Sequence, residues 1–176
     1  MEQIQGITIS KLGFVPQKLG DILEYEGPLL SLFIDQENPE NHFLYKWVDN
    51  DDFYNRWIIV PFSTKDLGLF FNGHLTLRQL FLSKPFCYLI DLDDQLNYHT
   101  IQIVATEKLN EDYLPSEKSY YQAEIYSPFA ANYHQKLALN TNDLLDNVLK
   151  EISALKISQQ ETTRALNDLL RLQASH

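Results

Sequence analysis

Short apolar runs separated by polar turns fill the front of the chain, and their spacing predicts strands. The turn signal Glu26-Gly27-Pro28 leads into Leu29-Leu30-Ser31-Leu32-Phe33-Ile34, a run that fits a buried strand and ends in the polar stretch 35–41. Phe43, Tyr45 and Trp47 then alternate with Leu44, Lys46 and Val48, and Trp57-Ile58-Ile59-Val60 follows the loop 49–55. Phe86 to Asp91 and Tyr98 to Val104 read as a hairpin around Asp93-Asp94-Gln95-Leu96-Asn97. Ser63 offers a helix cap ahead of Leu67, Leu69 and Phe70, and Thr76 offers another ahead of Leu77, Leu80 and Phe81. The pattern therefore predicts an α+β body, a small antiparallel sheet meander with short helices; residues 107–133 predict no element.

The period changes near the C-terminus. Asn140 or Thr141 can cap a helix whose first turn carries Asp143 and Asp146, the charge sign favoured at a helix N-terminus. Leu145, Val148, Ile152 and Leu155 follow at the 3-4-3 spacing that lines side chains along one seam, with Asp146 and Lys150 as an i,i+4 pair. In the same register Gln159 and Thr162 are polar before Leu166 and Leu169 resume, and Ser158-Gln159-Gln160-Glu161 matches a capping box. Two arrangements fit: one helix of about 32 residues, roughly 48 Å long, pairing as a coiled coil across a polar layer, or two shorter packed helices.

Composition sharpens that division. Every one of the ten Phe, ten Tyr and two Trp lies at or before Tyr133, the last proline is Pro128 and the last glycine is Gly73. The chain thus reads as an aromatic-rich α+β domain, 1–134, and a helical association region, 135–176. At 44% hydrophobic residues it lies far from the composition of disordered chains. The formal charge of −10, with no basic run, argues against direct nucleic-acid binding. A lone Cys87 in an apolar run, the absence of a basic and apolar leader, and no stretch long enough to span a bilayer lead to the expectation of a cytoplasmic protein with no membrane partner.

Chemistry is sparse. Asp91 and Asp93 close the run Phe86-Cys87-Tyr88-Leu89-Ile90-Asp91-Leu92-Asp93, which resembles the opening of haloacid-dehalogenase-like phosphatases, where one Asp attacks phosphorus and the other handles protons. Gln95 stands where that family has Thr or Val, and no βαβ pattern follows, so a polar hairpin turn explains the same residues. His99, beside Asp91 or Asp94 across that hairpin, is the candidate acid/base partner. Asp49-Asn50-Asp51-Asp52 begins like a calcium loop but has Tyr54 where the EF-hand has Gly and Val60 where it has Glu. The five histidines show no metal-ligand spacing, and no cofactor is implied. Trp47 and Trp57 are expected in the sheet core.

The segments Leu19-Gly20-Asp21-Ile22-Leu23-Glu24-Tyr25-Glu26-Gly27-Pro28-Leu29-Leu30, Tyr45-Lys46-Trp47-Val48-Asp49, Arg56-Trp57-Ile58-Ile59-Val60-Pro61 and Leu77-Arg78-Gln79-Leu80-Phe81 resemble a bacterial domain family of unknown function. That resemblance covers roughly residues 19–105 and implies a strand-rich adaptor-like module in a bacterial defence or regulatory setting, without catalytic residues. The favoured expectation is a non-enzymatic protein-protein interaction or adaptor protein. Its partner is another protein or a second copy of itself, engaged through Leu145, Val148, Ile152, Leu155, Leu166 and Leu169. One alternative is a metal-dependent phosphoesterase or nuclease using Asp91, Asp93 and His99; a third is an acidic inhibitor that mimics nucleic acid.

Overall fold

The computed structural model describes residues 6–138 together with Lys150 and Lys156. The chain divides into two units, Met1–Gln135 and Lys136–His176. In the second, residues 136–138, Lys150 and Lys156 are helical; Leu145, Val148, Ile152, Leu155, Leu166 and Leu169 lie outside the described residues, as does any coiled coil they form.

The first unit is built on one seven-stranded antiparallel sheet. Its strands are β1 (Ile7–Thr8), β2 (Pro16–Glu24), β3 (Pro28–Asp35), β4 (His42–Asn50), β5 (Asn55–Phe62), β6 (Phe86–Leu92) and β7 (Tyr98–Ala105). They stand in the order β1-β7-β6-β5-β4-β3-β2. The expected meander thus runs unbroken from β2 to β7, and the chain first crosses from one edge of the sheet to the other. Neither β1 nor β2 announces itself by alternation. The first is two residues long, and the second shifts register at Lys18/Gly20, Asp21/Leu23 and Leu23/Glu24, which scrambles a period of two.

Cross-strand partners share a face, so the register divides the side chains. Leu30, Leu32, Leu44, Ile58, Val60, Leu89 and Val104 form one face and are all buried. The buried stripes of α1 (Thr64–Phe71) and α2 (Leu77–Leu82), Leu67, Phe70, Phe71, Leu77, Leu80 and Phe81, complete the core on that side. Both helices start as their sequences predict, each with a reciprocal capping box: Ser63 with Asp66, and Thr76 with Gln79.

The other face carries Phe33, Phe43, Tyr45, Trp47, Trp57, Ile59, Tyr88, Ile90 and Ile101. Crossing residues 9–15 cover part of it: Leu12 is buried in this cluster, and the Phe14 ring stacks on Phe43 with centroids 3.7 Å apart. Asp35 anchors the crossing, since its Oδ1 accepts from the Val15 amide at 3.1 Å and from the Glu37 amide at 3.1 Å.

Residues 107–133, silent in the sequence pattern, hold a 3-10 turn at Glu111–Tyr113, an irregular stretch, and the start of a helical stretch, residues 128–135, that ends the unit. Ser127 and Pro128 explain that start. The Ser127 hydroxyl accepts from the Ala130 amide at 3.3 Å, and proline suits a first helical position. The Ser127 amide also donates to the Ile22 carbonyl at 3.0 Å, and its hydroxyl donates to the Asp21 carbonyl, so this segment caps the outer edge of β2.

Candidate functional site

An antiparallel meander gathers alternate turns at one end of its sheet, here the turns β2–β3, β4–β5 and β6–β7. Their residues include Glu24, Glu26, Asp49, Asp51, Asp52, Asp93 and Asp94, and the stretches 24–28, 49–55 and 92–98 contain no Lys or Arg. Two of the turns place a non-glycine residue at positive φ: Glu26 at 51° and Leu96 at 63°. For a side chain as large as leucine that backbone is costly. Tyr25 and Leu96 are each 74% exposed.

Between these two turns, on the part of the Trp47 and Trp57 face that the crossing segment does not cover, runs a groove of about 500 Å3. Tyr25, Pro28, Leu29, Trp47, Trp57, Leu92 and Leu96 supply apolar walls, and Glu26, Asn55 and Asp93 supply the polar ones. Trp47 and Trp57 are direct cross-strand partners on β4 and β5. The Trp47 indole N–H donates to Asn55 Oδ1 at 3.2 Å, which fixes that ring. Both tryptophans are partly buried: Trp57 packs against the core cluster as expected, while one side of the pair lines the groove. Their strands were legible, but the extent of face covered by residues 9–15 is a tertiary matter.

Asp93 closes the β6–β7 turn. Its Oδ1 accepts from the amides of Gln95 at 2.9 Å and Asn97 at 2.8 Å, and its Oδ2 accepts from Asn97 Nδ2 at 3.1 Å. The Asn97 backbone and side-chain donors hold the carboxyl below the usual carboxylate range. Asp51 does the same work in the β4–β5 turn, accepting from the Phe53 and Tyr54 amides at 2.9 Å each.

Asp91 lies on the opposite face and is bound by Arg56 through two hydrogen bonds, Nε to Oδ1 at 2.7 Å and Nη2 to Oδ2 at 2.9 Å. The Thr100 hydroxyl donates to Oδ2 at 2.7 Å. Arg56 Nη1 further donates to the Tyr113 hydroxyl at 3.4 Å, which donates to Asp49 Oδ2 at 3.0 Å. Burial alone would raise the Asp91 carboxyl; the Arg56 and Thr100 hydrogen bonds outweigh it and hold the group below its ordinary value. His99 stacks on Tyr54, centroids 4.0 Å apart and planes 11° from parallel. The structure thus brings Asp91, Asp93 and His99 to one hairpin but engages each separately, in an ion pair, a turn and a ring stack. Among the described residues no group of three or more His, Cys, Asp or Glu is arranged to hold a metal ion.

Cys87 is buried, its thiol pushed up to about 12 by desolvation, which leaves it protonated and unreactive at neutral pH. A second hollow, about 440 Å3, lies along residues 10–16 beside Tyr98 and Ile101. No helix among the described residues is long and apolar enough to cross a membrane. No family model matches the chain, and no curated protein or solved structure is significantly similar to it.

Proposed function

We propose that this chain is a non-enzymatic protein-interaction module whose sheet-end groove docks a segment of a partner protein. One observation carries the reading: both tryptophans of the chain sit side by side, half-buried, on the floor of one groove. Burying apolar surface drives folding at roughly 25 cal/mol per Å2, so two indoles left partly wet forgo stabilisation that a core position would give. Tryptophan and tyrosine in this setting are the side chains that dominate protein interfaces, because each offers a large rigid ring with a polar tip. A volume near 500 Å3 lies within the range of built binding sites. The reading of Asp91 and Asp93 as reacting carboxylates draws no support from this geometry, since Arg56, Thr100 and the β6–β7 turn already use their oxygens.

The same interaction reading extends to the C-terminal region, where Leu145, Val148, Ile152, Leu155, Leu166 and Leu169 are proposed to pair with another copy of the chain or with a partner helix.

Selection from a displayed library of random linear peptides tests the groove. Clones enriched on the full chain are expected to lose about tenfold or more in affinity on Tyr25→Ala or Leu96→Ala, a loss typical of an interface anchor. Both side chains are exposed, so these changes leave the fold intact. Equal binding to the wild type and both variants would place the docking surface elsewhere.

A further inference from the structure

We infer that the groove is specific for a basic segment of a partner protein, one that lays a Lys or Arg side chain over the Trp47 and Trp57 indoles between apolar neighbours. The inference rests on the groove being a docking site and says what it takes. Two features of the walls point the same way.

The first is the floor. An indole face carries the negative end of the ring quadrupole, and a guanidinium or ammonium group above it is attracted electrostatically. The second is the rim. Glu26 and Asp93 line the groove from opposite turns, and no Lys or Arg is among its lining residues. Asp93 is kept ionised by its own turn, so the rim stays negative well below neutral pH. A formal charge of −10 on the whole chain adds a long-range field of the same sign. An acidic partner would meet repulsion from Glu26 and Asp93, and an uncharged one would gain nothing from their charge.

The apolar walls argue for a polypeptide rather than a free small cation. Leu29, Leu92 and Leu96 extend the groove beyond what one cationic head covers, and they match side chains flanking the basic residue. Arg suits the site better than Lys, because its planar, weakly hydrated guanidinium stacks on aromatic rings and forks towards a carboxylate.

The test follows the indole N–H resonances of the full chain by NMR, since Trp47 and Trp57 are its two tryptophans. The probes are blocked peptides of sequence Gly-Leu-Xaa-Leu-Gly with Xaa Arg, Gln or Glu, none of which contains an indole. At low salt the Arg peptide is expected to shift both resonances and to bind about tenfold more tightly than the Gln peptide, with the Glu peptide weakest. Glu26→Gln removes a rim charge without touching the Asp93 hydrogen bonds that shape the β6–β7 turn, and is expected to bring the Arg peptide down towards the affinity of the Gln peptide. If the Gln or Glu peptide moved the indoles as readily as the Arg peptide, the preference for a cation would be wrong while the docking groove would stand. If no peptide moved either indole, both readings would fall together.

Discussion

At the scale of single residues the most consequential contact is the Arg56–Asp91 pair, with about a tenth of each side chain left exposed (11% and 9%). A buried pair is weak evidence of net stability, because the desolvation of both charges offsets their attraction. Breaking it is another matter. Asp91→Asn removes the carboxylate that accepts two Arg56 hydrogen bonds and is expected to cost roughly 3–5 kcal/mol in urea unfolding at pH 7. The pH dependence has a definite sign. Asp91, Asp21, Asp66 and Asp93 all have folded-state values below the ordinary carboxylate, so their contribution is complete above about pH 4–5 and is lost as the pH falls through that range and below. Stability of the wild type should therefore fall steeply under acid, and Asp91→Asn should show a lower but flatter acid limb. An unchanged slope in the variant would mean that Asp91 is not a principal source of the acid sensitivity. The sequence makes Asp91 visible as an acid closing an apolar run, and so invites a chemical reading. Its partner lies 35 positions away and meets it only through the pairing of β5 with β6. No local pattern reports that.

At the scale of elements, the same divide separates what was legible from what was not. The strands β3 to β7 and both capped helices follow from alternation and cap residues that act over a few positions. Strand β2 does not, because its bulges remove the alternation, and its outer edge is closed by a segment a hundred residues downstream. The hinge of that closure is Gly20. A Cβ placed there would lie 2.5 Å from the Phe129 ring, so only glycine lets the aromatic side chain seat against the strand. Gly20→Ala is expected to destabilise by roughly 1–3 kcal/mol, the usual cost of forcing extra volume into a packed contact. Phe129→Leu should cost stability alone yet recover part of the loss when combined with Gly20→Ala. A double-mutant cycle by urea unfolding reads that coupling; strict additivity would show that the ring and the glycine do not meet in solution. The edge matters for the groove as well, since β2 leads directly into the turn that carries Tyr25 and Glu26.

At the scale of the whole molecule, the feature easiest to read from sequence, the charge of −10, decides how the two proposed interactions respond to salt. Glu26 and Asp93 line the groove, so the proposed attraction for a cationic side chain should weaken as counter-ions screen it; the Debye length falls from about 10 Å at 0.1 M to about 3 Å at 1 M. The proposed pairing of two copies through Leu145, Val148, Ile152 and Leu155 would be driven by surface burial, which salt does not oppose, while the mutual repulsion of two acidic chains is screened. Self-association should therefore strengthen as salt rises from 0.05 M towards about 0.5 M, over the same range in which the Arg peptide loses affinity. Light scattering across that series is expected to show mass growing with salt for the wild type. Val148→Glu with Ile152→Glu puts charge into the seam and should hold the protein monomeric throughout. Association that weakened with salt would instead identify ion pairs between copies as its source, with the acidic turns of one copy and basic side chains of another as the contact to examine.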